Sequence, residues 1–448
     1  MTNQTTDQQG ELTAKAEVRN PRIGIVGMGY VGLPLALLFS EQRFRVTGFD
    51  IDAGKVGTLN AGGSYIVRIL PEEIQRARAN GFEATTDYAE IEQMDAVIIC
   101  VPTPLDEHHQ PDLSYVTGTV KSIAPHVHEG QLIVLESTTW PGTTEEVVLP
   151  LLEAGNRTGL TVARAANEKG ILLAFSPERE DPGNDKVARH DIPKVVGACS
   201  PEAFQRAEGL YGSIFHRVVP VSSPAVAEMT KLLENIYRCV NIALVNELKQ
   251  LCLRMGIDIH EVIDAAKTKP FGFQAFYPGP GLGGHCIPID PYYLSWKARE
   301  YDFMTKFIEL AGDVNGSMPH FVIERLAMGL NRSRKSINGS KILVLGVAYK
   351  KDIDDLRESP SLTIIEMLRE LGADVHYNDP YFARVGHGRH YDLNMINTPL
   401  ENLGQYDAVM IVTNHSSYDY AKIVEESQLV VDTRNATRGI HSEKIVRS

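Results

Sequence analysis

Short apolar runs alternate with helical stretches in the first half of the chain. The runs typical of buried strands are IGIVGMG, RVTGFD, DAVIICV, LIVLEST and KVVGA, all before about residue 219. Strands that alternate with helices are typical of a parallel sheet flanked by helices. The pattern therefore predicts a doubly wound α/β domain over residues 21–219.

A different pattern follows, in which helical periodicity replaces the strands. Ser223 before Pro224 matches a helix N-cap followed by proline at the first helical position, and Gly256 can end this helix. At more than thirty residues the helix exceeds the usual globular length, so we expect a spine buried between domains or subunits. A loop rich in glycine, proline and aromatic residues (269–284) and further helices to about residue 333 complete this region.

The third region returns to the α/β pattern. KILVLGVAY has a buried-strand pattern, ADVHYNDP, YDAVMIVT and QLVVDTR supply further strands, and we place the region at residues 336–448. The chain is therefore predicted to contain two Rossmann-like, doubly wound parallel-sheet domains joined by a central helical domain over residues 220–335. The polar residues 1–20 are expected to form a flexible tail.

Composition narrows the class of protein without changing the predicted fold. Hydrophobic residues make up 43% of the 448 residues and charged residues 23%, which is ordinary for a globular protein. The longest apolar runs are far too short to span a bilayer, and the N-terminal segment lacks the apolar core of a secretory signal. We therefore expect a cytoplasmic protein with no membrane partner.

Charge and cysteine usage exclude further classes. A formal net charge of −13 argues against a nucleic-acid partner, because phosphates require a basic surface. The five cysteines are scattered and include no CxxC pair. We therefore predict neither a disulfide framework nor a metal site.

A dinucleotide-binding fingerprint follows the first predicted strand. Gly27, Gly29 and Gly32 form GxGxxG ahead of an apolar helix. The first glycine permits the tight turn, the second lets backbone amides approach a pyrophosphate, and the third lets helix and strand pack closely. Asp50 ends the next strand, where a carboxylate accepts hydrogen bonds from ribose hydroxyls and repels a 2′-phosphate. The motif predicts NAD as the cofactor; the alternative is a βα unit whose glycines only form a turn.

Two further strands end in polar turns. DAVIICV runs into PTP around Thr103, and LIVLEST runs into the segment around Thr138. Ligands bind at the carboxyl ends of strands in open α/β sheets, so both turns are candidates for the binding site. On these residues alone, a ligand site and a plain turn stay equally open.

The segment GPGLGGHCIPIDP, residues 279–291, contains the candidate nucleophile Cys286. Dense glycines allow close ligand approach, and a thiol just ahead of a helix beginning at Pro291 would have a stabilised thiolate. The alternative is an inert, buried cysteine. Asp290 fits the N-cap of the same helix and could also orient water. His285 is assigned no role.

The long helix has a polar face of its own. Glu228, Lys231 and Asn235 are spaced i, i+3 and i+7, which places them on one side of the helix. The lysine and asparagine could present an ammonium and an amide to a developing oxyanion. A solvated face with a Glu–Lys pair is the alternative.

Together these motifs resemble the UDP-glucose/GDP-mannose dehydrogenase family. The match runs over residues 22–438 and includes, in order, GMGYVG, STTWPGT, FSPER, the Glu228–Asn235 segment, GLGGHCIPID and AYKKDIDDLRESP. The resemblance implies a four-electron oxidation of the C6 alcohol of a UDP-sugar by two NAD molecules in turn, without release of the aldehyde. It also implies a part in polysaccharide biosynthesis and a homodimer or higher homo-oligomer through the central helix.

The resemblance further implies roles for individual residues. The catalytic set comprises Cys286 as the nucleophile that carries a thioester, Lys231 and Asn235 as oxyanion stabilisers, Asp290 and Thr138 as residues that hold or activate water, and Glu178 as an aid to proton transfer in hydrolysis. The cofactor set comprises Gly27, Gly29, Tyr30, Val31, Gly32, Asp50, Lys55, Thr103, Thr138 and Arg357. The substrate set comprises Glu178, Arg179, Lys231, Asn235, Gly283, Tyr349, Lys350 and Arg434.

Two segments bear on the sugar. EREDPG, residues 178–183, and FYPGPGLGGHCIPIDPYYLSWKA resemble the branch that acts on UDP-N-acetylhexosamines. Members acting on UDP-glucose often carry an arginine ahead of the glycine loop, where this chain has Phe271-Gly272-Phe273. We therefore favour UDP-N-acetylglucosamine, followed by its mannosamine or galactosamine epimers, with UDP-glucose and GDP-mannose as alternatives.

Two alternatives change the class of protein. A nucleotide-sugar-binding regulator without turnover predicts a degraded site, whereas Cys286 and the residues around it are all present. A two-electron hydroxyacid or 6-phosphogluconate type dehydrogenase would share the layout but would have no use for the cysteine.

Overall fold

The structure is a computed structural model that describes residues 21–66, 68–106, 108, 110–180, 187–284, 287–388 and 391–448. The predicted tail, residues 181–183 of the EREDPG segment, His285 and the candidate nucleophile Cys286 lie outside the described residues. Contacts divide the chain into two units. Of the described residues, the first contains those within 21–103, 112–180 and 187–229, and the second contains those within 104–111 and 230–448.

An eight-stranded sheet forms the centre of the described part of the first unit. Its strands are β1 Arg22–Val26, β2 Arg45–Phe49, β3 Glu83–Thr85, β4 Ala96–Ile99, β5 Leu132–Leu135, β6 Leu172–Phe175, β7 Lys194–Ala198 and β8 Val218–Pro220. The strand order is β3-β2-β1-β4-β5-β6-β7-β8. The predicted parallel sheet is confirmed from β1 to β6, in the Rossmann order. The KVVGA strand β7 differs, because it pairs antiparallel with β6 and parallel with β8.

Helices flank this sheet. They are α1 Gly32–Glu41, α2 Ala53–Asn60, α3 Pro71–Ala79, α4 Ser114–Ile123, α5 Leu149–Gly155 and α6 Pro201–Tyr211. The central strands β4 and β5 read AVII and LIVL, and every one of these side chains is buried. Uninterrupted apolar runs are expected for parallel strands that are covered on both faces.

The predicted spine helix is confirmed as α7 Pro224–Met255. Gly256 follows it with φ +72°, a left-handed conformation that commonly ends helices at glycine. The next helices are α8 Ile259–Ala266, α9 Asp290–Ala298 and α10 Lys306–Arg332. Residues 269–284 contain no helix or strand, in agreement with the predicted loop. Among the helices of the described residues, none is both long and apolar enough to cross a membrane.

A second parallel sheet follows, in the order β10-β9-β13-β14-β15. Its strands are β9 Lys341–Leu345, β10 Asp374–Asn378, β13 Ala408–Ile411, β14 Val430–Asp432 and β15 Ile445–Arg447, and the four strands predicted for this region correspond to the first four. A separate antiparallel pair is formed by β11 Arg384–His387 and β12 Asp392–Ile396. The helices of this region are α11 Pro360–Glu370 and α12 Tyr420–Glu426.

Candidate active site

The GxGxxG turn joins β1 to α1, and packing explains two of its glycines. Gly27 has φ +95°, and a Cβ there would lie 2.6 Å from the carbonyl oxygen of Cys100. A Cβ on Gly32 would lie 2.0 Å from the carbonyl oxygen of Gly27. At Gly29, by contrast, no described atom beyond the neighbouring residues lies within 4 Å of an added Cβ. The second glycine therefore faces open space, where its backbone can approach a pyrophosphate.

Asp50 is held beside this turn at the end of β2. Its Oδ2 accepts a hydrogen bond from the amide of Met28 at 3.0 Å, and its Oδ1 accepts one from the amide of Asp52 at 3.0 Å. The ammonium of Lys55 lies 3.6 Å from Oδ2. Two amides and one cation fix the carboxylate, and its remaining lone pairs can accept bonds from ribose hydroxyls. Turn and acid together fit NAD.

The remaining cofactor candidates of the first unit lie around the same edge. Tyr30 is exposed and Val31 half-buried at the start of α1, while Thr103 is buried just beyond β4 and Thr138 half-buried just beyond β5. The hydroxyl of Ser137 donates to the carbonyl of Val101 at 2.7 Å and so ties the ends of β4 and β5 together.

A buried carboxylate fixes the STTWPGT loop that contains Thr138. The Glu228 side chain accepts hydrogen bonds from the amide of Gly142 at 2.6 Å and from the amide and hydroxyl of Thr144 at 2.9 and 2.7 Å. Burial raises the pKa of Glu228 to about 7, against the lowering effect of these bonds. The interpretation of a solvated helix face is therefore wrong, since Glu228, Lys231 and Asn235 are all buried.

Lys231, Asn235 and Asp290 form a polar group in the second unit. The amide of Asn235 donates to Asp290 Oδ2 at 2.5 Å, and Arg238 donates to Asn235 Oδ1. Burial raises the pKa of Asp290 to about 7, although Lys231, Asn235 and Arg238 all act to lower it. A carboxyl group with a pKa near neutrality can take up or release a proton at physiological pH.

The predicted N-cap role of Asp290 is wrong. Helix α9 begins at Asp290 itself, and Ile289 occupies the cap position without a side-chain bond. The carboxylate is therefore committed to Asn235 rather than to the amides of its own helix.

The FSPER motif follows β6. Glu178 Oε1 accepts the amides of Arg179 and Glu180, each at 2.6 Å, and the guanidinium of Arg179 donates to the carbonyl of Pro193 at 2.7 Å. Burial and the neighbouring Glu178 raise the pKa of Glu180 to about 7. Both predicted residues of this motif are therefore held firmly at the carboxyl edge of the first sheet.

In the second unit, the glycine loop packs against residues of the predicted substrate set. A Cβ on Gly283 would lie 2.6 Å from the Cβ of Tyr349, and one on Gly279 would lie 2.6 Å from a guanidinium nitrogen of Arg434. The amide of Gly284 donates to the carbonyl of Arg357 at 2.9 Å. Burial lowers the pKa of Arg434 to about 10, which leaves it charged at neutral pH. Lys350 is half-buried next to Tyr349.

Sequence reasoning missed a residue that supports this loop. Asn246 is buried on α7, and its Oδ1 accepts the amide of Gly279 at 2.9 Å while its Nδ2 donates to Asn315 Oδ1 at 2.9 Å. Asn246 lies eleven residues after Asn235, about three helical turns, so it falls on the same face of α7. This spacing is the feature of the sequence that could have identified Asn246.

Sequence reasoning also missed a buried group behind Glu178, which consists of Glu136, Lys194 and Tyr211. The only trace in the sequence is one charged residue at the edge of each of two otherwise apolar strands, LIVLE and KVVGA.

The fold and the site together define a class, the NAD-binding dehydrogenases with a second Rossmann-like sheet. Three family models match the chain in the order of its domains. They are the NAD binding domain at residues 21–215, the central domain at residues 225–317 and the UDP binding domain at residues 343–439, all of the UDP-glucose/GDP-mannose dehydrogenase family. The chain belongs to this family of nucleotide-sugar oxidoreductases, which confirms the resemblance, the fold class and NAD as the cofactor.

Individual relatives are similar over nearly their whole length. The chain is 34% identical over 405 residues to the UDP-N-acetyl-D-glucosamine 6-dehydrogenase of Pseudomonas aeruginosa, which covers 90% of this chain and 92% of the relative. It is 37% identical over 353 residues to the UDP-N-acetyl-D-mannosamine dehydrogenase of Salmonella typhi, with 77% and 82% covered. A solved structure of the UDP-D-ManNAc dehydrogenase of Pyrococcus horikoshii matches with a TM-score of 0.85 at 31% identity, over 95% of this chain and 98% of that one.

Proposed function

We propose that this protein oxidises the C6 hydroxymethyl group of a UDP-N-acetylhexosamine, preferentially UDP-N-acetylglucosamine, to the uronic acid. The buried group of Lys231, Asn235 and Asp290 carries the proposal. It supplies an ammonium, an amide and a carboxyl group of near-neutral pKa, and Asp290 lies four residues after Cys286 in the chain. An inert nucleotide-binding protein would have no need to bury these charges.

The sugar assignment draws on the loop and on the relatives. Phe271 and Phe273 occupy the segment in which UDP-glucose enzymes often carry an arginine. The named activity of the Pseudomonas aeruginosa relative supports the glucosamine epimer. UDP-N-acetylmannosamine is the second candidate, because the Salmonella typhi relative has the higher identity, 37%, over a shorter segment.

Bound NAD supplies the hydride acceptor for each of the two oxidations. The thiolate of Cys286 adds to the C6 aldehyde, and the resulting thiohemiacetal becomes a thioester in the second oxidation. Covalent attachment keeps the aldehyde from leaving before it is oxidised again. Water then attacks the thioester, which releases the uronate and restores the thiol.

The chain's own polar groups stabilise charge and move protons in this sequence. Lys231 and Asn235 donate to the oxygen that becomes negative whenever the carbonyl carbon is tetrahedral. Asp290 and Thr138 hold or activate water, and Glu178 aids proton transfer during hydrolysis. The near-neutral pKa of Asp290 suits it to exchange protons under physiological conditions.

The division of labour follows the predicted domains. We assign residues 21–219 to NAD binding, 220–335 to dimerisation and the cysteine loop, and 336–448 to the UDP-sugar. The proposed cofactor contacts are Gly27, Gly29, Tyr30, Val31, Gly32, Asp50, Lys55, Thr103, Thr138 and Arg357. The proposed substrate contacts are Glu178, Arg179, Lys231, Asn235, Gly283, Tyr349, Lys350 and Arg434.

An exposed apolar stripe on α7 supports a homodimer through this helix. Leu233, Tyr237, Leu244, Leu248 and Leu251 are all exposed and recur at spacings of three, four or seven residues. Such a stripe is typical of a helix that packs against another helix.

A substrate panel tests the proposal. The protein is supplied with NAD and, in turn, with the three UDP-N-acetylhexosamine epimers, UDP-glucose and GDP-mannose, while NADH and product mass are measured. We expect UDP-N-acetylglucosamine to give two NADH per sugar and a product that has gained one oxygen and lost two hydrogens. One NADH per sugar, or turnover of none of these compounds, would contradict the proposal.

Replacement of the proposed nucleophile separates this enzyme from a two-electron dehydrogenase. We expect Cys286→Ser to abolish uronate formation, because an alkoxide is far less available than a thiolate at neutral pH. Cys252→Ser, at a half-buried cysteine on α7, is the matched control and should retain activity. Uronate formation by Cys286→Ser at the wild-type rate would refute the thioester route.

A further inference from the structure

A buried lysine lies behind Glu178 at the carboxyl edge of the first sheet. Lys194 begins β7, and its side chain is only 3% exposed. Its ammonium donates to Glu136 Oε2 at 2.9 Å and lies 3.6 Å from Glu178 Oε2. Lys194 therefore joins two carboxylates, of which Glu136 is sealed in the core and Glu178 is partly exposed.

Packing holds the lysine in this position. The hydroxyl of Tyr211 donates to the other oxygen of Glu136. The Lys194 ammonium lies 5.1 Å from the ring centre of Tyr211 and 5.4 Å from that of Phe215, within the range of cation–π attraction. Because Glu136, Tyr211 and Phe215 are buried as well, the core holds the ammonium in place beside Glu178.

The two carboxylates share this one cation in a poorly solvated place. Burial alone would lower the pKa of Lys194, but Glu136 and Glu178 raise it above its ordinary value, so the lysine stays charged. Burial raises the pKa of Glu136, and the attraction of Lys194 opposes that rise. Glu178 is therefore subject to the attraction of the Lys194 ammonium, 3.6 Å away, and to the opposing repulsion of the Glu136 carboxylate.

Other groups of the surrounding elements also face Glu178. Cys100, just beyond the end of β4, is buried, and burial together with Glu136 raises the pKa of its thiol, which stays neutral. Glu180 forms an ion pair with Arg189 at 3.1 Å. Neither group forms a described contact with the Lys194 ammonium as short as those of Glu136 and Glu178.

We propose that Lys194 is a positioning residue, which keeps the Glu178 carboxylate ionised and oriented for thioester hydrolysis, and that Glu136 limits how much of the lysine's charge reaches Glu178. The inference rests on the proposed function, in which Glu178 aids proton transfer from the water that attacks the thioester. Glu178 touches the reacting atoms in this scheme, and Lys194 acts through it.

The arrangement predicts opposite effects for its two buried members. Without the ammonium, the ionised form of Glu178 loses its partner, so its pKa rises and hydrolysis fails at a higher pH than in the wild type. Without the Glu136 charge, the lysine acts on Glu178 alone, so the pKa falls and hydrolysis persists to a lower pH. A purely structural contribution would slow hydrolysis at every pH without moving the acid limit, which is the pH below which hydrolysis fails.

The experiment measures the rate of thioester hydrolysis against pH, by rapid quench of a single turnover with NAD and UDP-N-acetylglucosamine. We expect the acid limit to rise by about one pH unit in Lys194→Met and to fall by a similar amount in Glu136→Gln. Lys194→Arg should restore the wild-type limit, and the double variant Lys194→Met/Glu136→Gln should return close to it. Lys169→Met, which removes an exposed surface lysine, should leave the limit unchanged.

Thermal unfolding of each variant shows whether it is folded. If Lys194→Met does not fold because Glu136 loses its partner, the double variant and Glu136→Gln still decide the matter. A wild type that turns over while neither Glu136→Gln nor the lysine variants move the acid limit would overturn this inference alone. A shift of the acid limit in the same direction in both single variants would overturn it as well. A wild type that oxidises no nucleotide sugar would overturn the proposed function instead.

Discussion

The two Rossmann-like sheets end their first strand in the same backbone turn. In the first sheet, the amide of Gly27 donates to the carbonyl of Phe49 at 2.7 Å; in the second, the amide of Gly346 donates to that of Asn378 at 2.8 Å. Both glycines have positive φ, +95° and +83°. The turn that follows a first parallel strand is therefore a property of the scaffold in both halves and does not by itself indicate a dinucleotide.

The acids at the end of the second strand differ in what covers them. Asp379 accepts the amide of Val347 at 2.7 Å, as Asp50 accepts that of Met28, but it also accepts the amide of Ala348 and lies 3.0 Å from the ring of His415. Asp379 is fully buried, whereas Asp50 keeps 7% of its surface exposed and lies beside the half-buried Lys55. Protein groups therefore cover the acid of the second sheet more completely than the acid of the first.

The sequences of the two turns differ as well. GMGYVG in the first half corresponds to GVAYKK in the second, so Ala348 and Lys351 stand where Gly29 and Gly32 permit close approach. The second turn thus lacks the glycine that lets backbone amides approach a pyrophosphate in the dinucleotide fingerprint.

The largest effect is expected where the two halves agree. Gly27→Ala and Gly346→Ala should each lower the free energy of unfolding by about 3 kcal/mol or more, because a Cβ at positive φ would meet a backbone oxygen at 2.6 and 2.4 Å. Gly118→Ala within α4, where an added Cβ meets no described atom within 4 Å, is the control and should be neutral or stabilising. Urea denaturation measures the stability of all three variants. Unchanged stability in either Gly27→Ala or Gly346→Ala would show that glycine is not required in both turns.

The next effect separates the two acids. Asp50→Asn should raise the KM for NAD at least tenfold and reduce the preference for NAD over NADP, since hydrogen bonds to a charged group contribute about 1.5–3 kcal/mol. Asp379→Asn should leave the KM for NAD unchanged and lower the melting temperature. Steady-state kinetics with NAD and NADP measures both variants. An equal rise in the KM for NAD in the two variants would contradict the expectation that Asp50, but not Asp379, contacts the cofactor.

A smaller effect is expected at the middle glycine. Gly29→Ala should fold as stably as the wild type, because the added Cβ points into open space, yet bind NAD about tenfold more weakly once that space must hold a pyrophosphate. Ala348→Gly, at the corresponding place of the second sheet, should leave NAD affinity unchanged. Titration calorimetry with NAD measures both, and unaltered affinity in Gly29→Ala would argue against the predicted approach of the cofactor.

The smallest effect, counted per pH unit, concerns the pH dependence of stability, and here the two units should behave alike. Glu228 and Asp290 have pKa values raised to about 7 from ordinary values of 4.5 and 3.8. Between the ordinary values and about pH 7, the folded protein therefore binds more protons than the unfolded chain. Stability is then fully present below the ordinary values and declines as pH rises toward 7, by on the order of 1 kcal/mol per pH unit and group. Denaturation at a series of pH values should show this decline, and Glu228→Gln should make it shallower. A stability that rises over the same window would contradict the raised pKa values.

The sequence predicted the elements whose signals are local. Helix α7 was predicted to the residue because Ser223, Pro224 and Gly256 mark its ends, and β9 was predicted because a strand buried on both faces is apolar throughout. The direction of β7 was not predictable, since KVVGA is equally compatible with parallel and antiparallel pairing. The strand β12 was missed because only alternate residues of DLNMI are buried, so it lacks the continuous apolar run by which strands such as β9 were recognised.

Only those residues of the candidate active site that belong to sequence motifs could be predicted. The glycines, Asp50 and the Lys231–Asn235 pair stand in recognisable patterns, whereas the charge pair of Glu136 and Lys194 depends on two strands meeting in space. The solvated interpretation of Glu228 failed for the same reason, because helix periodicity does not tell which face meets the STTWPGT loop. Buried charges are fixed by partners far along the chain, which a single sequence does not identify.

The amide relay under the glycine loop has a consequence for anyone redesigning substrate choice. Gly279 donates to Asn246, Asn246 donates to Asn315, and Asn315 donates to the carbonyl of Cys239, so each side-chain amide accepts on one side and gives on the other. Aspartate at either position would break this polarity, because a carboxylate has no proton to pass on. A loop from another branch of the family that is placed in this chain therefore needs both asparagines, on α7 and α10, to support it.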